Sequence, residues 1–368
     1  MDRDDSDAFE PERRYGAQRG RGAVSNPAGR FERQVSNPAD GDDDWNSDTE
    51  ASIRTTLAID RARRVISYNT SPDIPFDRSL NPYRGCEHGC IYCYARTTHS
   101  YLDLSPGLDF ETYLLYKPDA PQQLISELAD PGYVPRPIAL GVNTDAWQPV
   151  ERRTQLTRRL LELLAETRHP VTLVTKSALV ERDIDLLAEM AADGLVNASV
   201  SLTTLDEDLN RRLEPRAAGP RRRLRVIQRL SDAGVPVAVM LAPVIPGMTD
   251  PEMEDLMSRA AEHGATAAGW IPLRLPGEVE GLFADWLHHH YPDRCEHILS
   301  LVRQVHGQGR TDSGFGHRMQ GSGAFADLLA QRFRVARRRV GLAPRLPDLD
   351  CTRFRPPQHP SGQLRLFE

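Results

Sequence analysis

Three cysteines in one short segment could carry out chemistry in this chain of 368 residues. Cys86, Cys90 and Cys93 have the spacing C-x3-C-x2-C, so a single loop supplies three thiolates to one centre. A cubane [4Fe–4S] cluster ordinarily takes four protein ligands, and three thiolates therefore leave one iron open. Gly85 precedes the first cysteine and Gly89 the second, and both allow the backbone to wrap closely around such a cluster.

The open iron indicates which small molecule the site could use. It can chelate a molecule with adjacent amine and carboxylate groups, and S-adenosylmethionine (SAM) is such a molecule. An electron from the reduced cluster can split the sulfonium bond of SAM and release a carbon radical. Tyr92, the aromatic residue before the last cysteine, is predicted to pack beside the adenine. The loop therefore predicts a [4Fe–4S] cluster and SAM as cofactors.

A structural zinc site on the same cysteines is the competing interpretation. His88 or His99 would supply the fourth ligand. A zinc ribbon normally has a second pair of ligands at a distance, and the sequence has no second C-x-x-C. The pattern therefore favours the iron–sulfur cluster.

The sequence around the cysteines resembles the signature of the radical SAM superfamily. Residues 81–86 (Asn-Pro-Tyr-Arg-Gly-Cys) and the trailing Tyr94-Ala95 are typical of the branch that contains spore photoproduct lyase and proteins described as DNA repair photolyase-like. The resemblance covers about residues 78–275. It implies an α/β fold with a partial (βα)6 barrel of the TIM type, and an electron donor such as flavodoxin or ferredoxin as a partner.

The order of apolar and amphipathic segments agrees with such a barrel. Short apolar strands separated by amphipathic helices predict a parallel sheet, whose carboxyl edge collects the reacting groups. A strand near residues 113–116 is predicted to come first. The other five predicted strands lie at residues 138–142, 171–175, 198–202, 236–243 and 267–272. The predicted helices between them lie at residues 151–167, 184–193, 221–233 and 251–264.

Composition divides the chain into four predicted parts. Residues 1–52 contain too few apolar residues to offset the entropy of ordering, so we predict that they are disordered. The core barrel is predicted over residues 53–275 and a helical cap over residues 276–345. A proline-containing, flexible tail is predicted over residues 346–368.

The resemblance implies SAM contacts at three successive strand ends. Thr144 and Asp145 are expected at the SAM amino group, where a carboxylate forms a charge-assisted hydrogen bond to the ammonium. Lys176 is expected near the SAM carboxylate, and Ser201 near the ribose or the carboxylate. The alternative for Thr144 and Asp145 is an ordinary cap at the start of the next helix.

One departure from the branch concerns hydrogen-atom return. Spore photoproduct lyase uses an additional cysteine near the second barrel strand, and this sequence has no cysteine between Cys93 and Cys295. Thr144 lies in that neighbourhood instead, which argues against the thymine-dimer lyase reaction itself. Cys295 and Cys351 are predicted to be core fillers or incidental surface thiols.

Composition also bears on location and partners. The sequence contains no run of about 18 apolar residues, no signal-peptide pattern and no disulfide framework, so we expect a cytoplasmic protein with no membrane partner. Arginine-rich runs at residues 211–229 and 334–339 are either phosphate-backbone contacts or solvated helix faces.

The last residues suggest a protein partner. The segment from Gln363 to Phe367 (Gln-Leu-Arg-Leu-Phe) resembles the peptide with which DNA polymerases and repair factors bind the bacterial sliding clamp. The alternative is that Phe367 packs onto its own domain.

The leading functional hypothesis is a radical SAM enzyme that acts on nucleic acid, as a DNA-repair-like lyase does. The alternatives are radical chemistry on a protein or a small molecule, and a non-catalytic iron–sulfur protein that senses redox state at DNA or at the clamp.

Overall fold

The computed structural model describes residues 18–31, 54–306 and 319–357. Among these, no helix is long and apolar enough to cross a membrane. The strands are β1 (Thr56–Ile59), β2 (Ile66–Tyr68), β3 (Arg78–Leu80), β4 (Tyr83–Arg84), β5 (Tyr113–Tyr116), β6 (Ile138–Leu140), β7 (Val171–Thr175), β8 (Val196–Ser201), β9 (Val237–Val244) and β10 (Ala267–Pro272).

The helices follow and separate these strands. The α-helices are α1 (Asp109–Thr112), α2 (Ala120–Leu128), α3 (Glu151–Thr154), α4 (Leu156–Glu166), α5 (Ile184–Ala192), α6 (Glu207–Leu213), α7 (Pro220–Asp232), α8 (Met253–Glu262), α9 (Val279–His290), α10 (Cys295–Val305) and α11 (Ala324–Arg339). Short 3₁₀ helices lie at Tyr94–Leu102, Ala178–Asp183, Asp250–Glu252 and Pro292–Arg294.

The main sheet has seven strands in the order β10-β9-β8-β7-β6-β3-β2. From β3 to β10, each of its six strands pairs in parallel with its neighbour, and β2 joins antiparallel at one edge. The predicted α/β fold with six parallel strands is confirmed. Because β2 and β10 form its two edges, the sheet is a partial barrel.

The predicted first strand of the barrel is wrong. Residues 113–116 do form a strand, β5, but it lies in a separate three-stranded sheet with the order β1-β5-β4. The first parallel strand of the barrel is β3, which pairs with β6 through Ser79–Ala139 and Leu80–Leu140. Its three residues begin with Arg78 and Ser79, so it shows no apolar run that a periodicity search could detect.

The barrel is stabilised by packing between its sheet and its helices. Leu140 and Leu173 on the strands belong to one buried core with Leu160 and Leu164 of α4. Each such side chain contributes about 1.5–3 kcal/mol relative to exposure. The predicted helix over residues 151–167 is divided, because Gln155 adopts a left-handed conformation with φ of 49° between α3 and α4.

The helices after the barrel form a second core beside the three cysteines. Phe283 and Trp286 of α9 and Ile298 of α10 pack in one cluster with Ile91 and Tyr92. The helical region predicted after the barrel is therefore present, and it covers the segment that carries the cysteines.

Two segments predicted to be flexible are ordered in part. The prediction of disorder over residues 1–52 is wrong for residues 18–31, which bind Glu111 of α1 and Glu278 just before α9. The prediction of a flexible tail from residue 346 is wrong for residues 346–357. There Arg355 N donates to Thr167 O at 2.8 Å, and the Phe354 ring lies 5.3 Å from that of His169. Composition alone cannot show such anchoring, because it depends on backbone groups of other elements.

Candidate functional site

The three cysteines lie on a tight loop that follows β4, here called the cysteine loop (residues 85–96). Gly85 has a φ of 79°, and a Cβ there would lie 2.9 Å from the carbonyl oxygen of Phe110 and 2.7 Å from Leu114. Cys86 N donates to that same Phe110 carbonyl at 3.0 Å. The loop therefore requires glycine where it leaves β4.

The donor set of the loop suits a soft metal centre. Cys86 and Cys90 are buried, Cys93 is half-buried, and all three are free thiols. Burial raises the pKa of each thiol; the charges of Asp145 and Glu214 raise the pKa values of Cys86 and Cys90 further. A bound metal centre holds such thiols deprotonated, so a cluster would replace the protons.

Each of the two histidines that could complete a zinc site uses one ring nitrogen in a contact outside the cysteines, and the buried Nδ1 of His99 has no hydrogen-bond partner among the described residues. His88 Nδ1 lies 3.4 Å from a carboxylate oxygen of Asp145, and burial lowers the pKa of this imidazole. His99 Nε2 lies 3.0 Å from the carbonyl oxygen of Tyr113. The loop itself offers three thiols, as the cluster interpretation requires.

Thr144 lies at the predicted strand end, and its hydroxyl binds the cysteine loop. Thr144 Oγ1 donates to Gly85 O at 2.7 Å. Gln148 Nε2 donates to the same carbonyl at 3.2 Å, and its Oε1 accepts from Glu87 N at 2.8 Å. These side chains therefore attach the first turn of the loop to the end of β6.

Asp145 is buried, and protein donors surround its carboxylate. Its oxygens accept from Thr175 Oγ1 at 2.9 and 3.0 Å, from Lys176 N at 2.8 Å and from Trp147 N at 2.9 Å. With His88 also near, these donors fill about four acceptor sites of the carboxylate. The capping alternative is wrong in detail, because α3 begins at Glu151 with Val150 as its N-cap and no side-chain cap, whereas Asp145 binds the amides of Trp147 and Lys176. Direct contact of Asp145 with the SAM ammonium stays a prediction.

Lys176 and Tyr92 lie together beside the cysteines. Lys176 Nζ is 5.8 Å from the centroid of the Tyr92 ring, within the range of a cation–π contact. Burial raises the pKa values of the Cys90 and Cys93 thiols, and the positive charge of Lys176 partly lowers them again. The Lys176 side chain therefore lies near the loop. A cation is therefore available next to the thiols, as predicted.

Ser201 ends β8 at the same edge of the sheet. Its carbonyl accepts from Arg223 Nη1 at 3.0 Å, and the residue is buried. The structure therefore brings every sequence-predicted site residue to the carboxyl edge of the sheet. These residues are Cys86, Cys90, Cys93, Tyr92, Thr144, Asp145, Lys176 and Ser201.

Comparison with known proteins shows the family. The sequence profile of the radical SAM superfamily matches residues 80–260. The uncharacterized protein Rv2578c of Mycobacterium tuberculosis is 37% identical over 238 residues, which cover 64% of this chain and 69% of that protein. The chain belongs to the radical SAM superfamily. The uncharacterized protein MJ0683 of Methanocaldococcus jannaschii is 25% identical over 173 residues, 47% of this chain and 62% of that one.

Solved structures show the same fold. Spore photoproduct lyase complexed with dinucleoside spore photoproduct aligns with a TM-score of 0.54 at 17% identity, covering 78% of this chain and 80% of that one. A mutant of the same lyase with a single tyrosine-to-phenylalanine change aligns with a TM-score of 0.51 at 15% identity and the same coverage. The chain is therefore a radical SAM enzyme with the fold of spore photoproduct lyase, and a [4Fe–4S] cluster and SAM are its cofactors.

A buried polar network holds Tyr92 of this radical SAM enzyme. The Tyr92 hydroxyl donates to Glu214, which also accepts from Thr203 Oγ1 and Asn210 Nδ2 at 2.8 Å and pairs with the buried Arg223. Burial raises the pKa of Glu214, but Arg223 and Lys176 outweigh this effect and lower it to about 2. The network fixes the aromatic residue that was predicted to pack beside adenine.

A second buried ion pair supports the later part of the loop. Arg96 is fully buried; its guanidinium donates to Cys90 O at 2.9 Å and to Gly89 O at 3.1 Å, and it pairs with Glu111. The sequence did not predict a supporting role in the site for Arg96, Glu111, Gln148 or Arg223. A signal existed for Arg223, because it shares the helical spacing of the buried Ile227 and Leu230 on α7.

The arginine run at residues 211–229 is not a continuous free surface. Arg223 is buried, and the prediction of phosphate contact is wrong for it. Arg222 and Arg229 both pair with Glu181, at 2.7 and 3.0 Å. Arg225 is exposed on α7. Any phosphate contact must therefore use individual side chains of this run.

Proposed function

We propose that this enzyme cleaves SAM reductively and directs the resulting radical to a nucleic acid substrate. When bound, the reduced cluster supplies the electron that splits SAM and releases the 5′-deoxyadenosyl radical. The observation that carries the proposal is the set of three thiols, two buried and one half-buried, at the carboxyl edge of the sheet, beside Lys176 and Tyr92.

In this proposal Cys86, Cys90 and Cys93 bind the cluster. We expect about four irons and four sulfides per anaerobically reconstituted chain. Changing any one of the three to alanine should remove the cluster, as measured by iron content and visible absorption. The matched controls are Cys295→Ala and Cys351→Ala, which should retain it. Stoichiometric zinc without iron would contradict the assignment.

The other candidate residues are assigned to different parts of the SAM molecule. Lys176 binds the SAM carboxylate, and Tyr92 packs beside the adenine. Ser201 presents its hydroxyl to the ribose or the carboxylate. Thr144 and Asp145 act mainly by fixing the cysteine loop and the start of the turn after β7, because their side chains already bind those elements.

A basic cleft beside the cysteine loop supports a phosphate-bearing substrate. A cavity of about 430 Å³ is lined by His88 of the loop and by Arg152, Arg216 and Arg222. Arg152 is exposed and has no ion-pair partner in the described part of the chain. Arg216 pairs with Glu87 at 3.2 Å and Arg222 with Glu181 at 2.7 Å, so Arg152 is the arginine best placed to bind phosphate oxygens, which a guanidinium binds bidentately. Spore photoproduct lyase, with the same fold, has been solved with a dinucleoside spore photoproduct.

The experiment is to measure 5′-deoxyadenosine formation from SAM by the reconstituted protein with a chemical reductant. Single-stranded DNA, ultraviolet-irradiated duplex DNA and RNA are compared as additions. We expect one of them to stimulate formation, and Arg152→Glu to lose that stimulation. Arg225→Glu, on the exposed face of α7, is the matched control and should retain it. Stimulation by protein fractions or small metabolites alone would favour a protein or small-molecule substrate. If SAM were not cleaved under any of these conditions, the redox-sensing alternative would be favoured.

Two partners complete the proposal. Radical SAM enzymes need an electron donor, and we propose a flavodoxin or ferredoxin in a reducing cytoplasm. The clamp peptide from Gln363 to Phe367 lies outside the described residues and stays a prediction. A peptide of the last 12 residues should bind purified sliding clamp in calorimetric titration, and Leu366→Ala with Phe367→Ala should abolish binding, because anchors of this kind contribute about 2 kcal/mol or more each.

A further inference from the structure

A segment that precedes the family-matched region contacts the cysteine loop directly. Residues 18–31, here called the N-terminal strap, lie outside the matched residues 80–260. Gly22 N and Ala23 N each donate to one oxygen of the Glu111 carboxylate, both at 2.9 Å. Because Glu111 also pairs with Arg96, the strap joins the buried ion pair beneath the loop.

Gly22 is in close backbone contact with the turn between Cys86 and Cys90. A Cβ built at Gly22 would lie 1.9 Å from the carbonyl oxygen of Gly89, and the contact is with backbone rather than with a flexible side chain. Gly89 itself has a φ of 67° and lies between Cys86 and Cys90. Such a close approach of two backbones requires a residue without a side chain.

The rest of the strap is anchored along its length. Asn26 Oδ1 accepts from Leu108 N at 2.7 Å at the start of α1. Arg30 donates to both oxygens of Glu278, each at 2.8 Å, just before α9. The Phe31 ring lies 5.0 Å from that of Tyr101. The strap therefore connects the cysteine loop with the helices that follow the barrel.

The strap supplies two of the donors to the Glu111 carboxylate in the part of the chain that the structure describes. Glu111 is completely buried, and the donors shown for its carboxylate are Arg96 and the two strap amides. Withdrawing the strap would leave that carboxylate short of donors and would expose the Gly89 turn to solvent. Both changes loosen the element that must hold the first two cysteines in place.

We propose that the N-terminal strap is a positioning element of the cluster site, and that Gly22 is the residue on which this positioning depends. The strap fixes the turn between Cys86 and Cys90 and shields it from solvent, so that the protein retains its cluster. This inference rests on the proposed assignment of the three cysteines as cluster ligands.

The main test compares the retention of iron in three full-length proteins after anaerobic reconstitution. Iron release to an excess of chelator is followed by absorbance for wild type, Gly22→Ala and Ser25→Ala. We expect Gly22→Ala to lose iron about tenfold faster than wild type, since buried hydrogen-bonding groups lose their partners. Ser25→Ala removes an exposed strap contact to Asp285 and should stay within about twofold of wild type.

A second variant and a second measurement separate the loss of the strap from a steric clash at residue 22. Deletion of residues 2–31 removes the strap without introducing a clash, and it should accelerate iron release as Gly22→Ala does. In the metal-free protein, amide hydrogen exchange over residues 85–93 should be faster in both variants than in wild type and Ser25→Ala.

Unchanged iron release in both variants, or unchanged exchange over the loop, would overturn the inference. If wild-type protein bound no cluster, the assignment of the ligands would fail. The exchange measurement would still decide whether the strap positions the loop.

Discussion

The two turns of the cysteine loop are held by different chemistry. The backbone of the first turn, at residues 85–87, is bound by the neutral side chains of Thr144 and Gln148, which follow β6. An ion pair of this turn joins Glu87 to the half-buried Arg216 at 3.2 Å. The second turn, at residues 89–90, is bound by the guanidinium of Arg96, whose charge is balanced by Glu111 in a completely buried pair.

This difference shows where the site is fixed and where it can adjust. Removing one partner of a buried ion pair leaves an uncompensated charge and costs about 3–5 kcal/mol. A typical neutral hydrogen bond contributes about 0.5–1.5 kcal/mol. The second turn is therefore the more firmly fixed of the two. The first turn, which faces the strand ends proposed to bind SAM, can shift at smaller cost.

The largest expected effect comes from breaking the charged support. Arg96→Leu should lower the free energy of unfolding by about 3–5 kcal/mol, because Glu111 would be buried without its cation. Urea unfolding of the metal-free protein under anaerobic conditions measures this. The double variant with Glu111→Leu should recover part of the loss, since neither charge is then left alone. A loss below about 1 kcal/mol would remove the distinction between the two turns.

The pH dependence of stability tests the charged network behind Tyr92. Because the native pKa of Glu214 is lowered to about 2, its ionised form stabilises the fold above its unfolded pKa of about 4.3. This contribution, about 3 kcal/mol, should fall as the pH drops from about 4.5 towards 2.

Glu214→Gln isolates that contribution. The difference in unfolding free energy between wild type and Glu214→Gln should be full at pH 6 and should shrink steadily below pH 4.5. Chemical denaturation at several pH values measures both proteins. A difference that does not change between pH 6 and pH 3 would show that the native pKa of Glu214 is not lowered relative to its pKa in the unfolded chain.

The sequence predicted the parts of the site that follow strong local patterns. The cysteine spacing identified the loop, and the apolar runs of β6, β7 and β8 placed Thr144, Lys176 and Ser201 at one edge of a parallel sheet. Strand β3 was missed because its three residues include Arg78 and Ser79. A short strand with polar residues takes its stability from neighbouring strands, which a local pattern does not contain.

The supports of the loop could not be predicted in the same way. Arg96, Glu111 and Gln148 are polar residues that are usually exposed, and their burial depends on partners far along the chain. Asp145 illustrates the converse. Its type and position suited an ammonium, but Thr175 and the amide of Lys176 occupy its oxygens in the fold. Residues 18–31 looked disordered because composition cannot register the contact of Gly22 with the Gly89 turn.

A smaller effect, confined to binding, is expected at Lys176. Lys176→Ala should weaken SAM binding by tens-fold, about 2 kcal/mol, because a charged hydrogen-bond partner of the carboxylate is lost. Iron content and unfolding free energy should stay close to wild type, since Lys176 is half-buried and its backbone contacts persist. Calorimetric titration with SAM on reconstituted protein measures the affinity. Lys176→Arg is the matched control and should keep most of it; equal affinity in all three proteins would show that the cation lies outside the SAM site.

The smallest effect on stability is expected at the neutral support of the first turn. Gln148→Leu retains the approximate volume of the side chain but leaves Glu87 N without its acceptor and Gly85 O with Thr144 alone. We expect a loss of about 1–2 kcal/mol in urea unfolding of the metal-free protein, since one buried backbone donor is left unpaired. Thr144→Val should cost less, because Gln148 still binds the Gly85 carbonyl. If Gln148→Leu destabilised the protein as much as Arg96→Leu, the first turn would be as firmly fixed as the second. The proposed freedom of the loop on the SAM side would then be wrong.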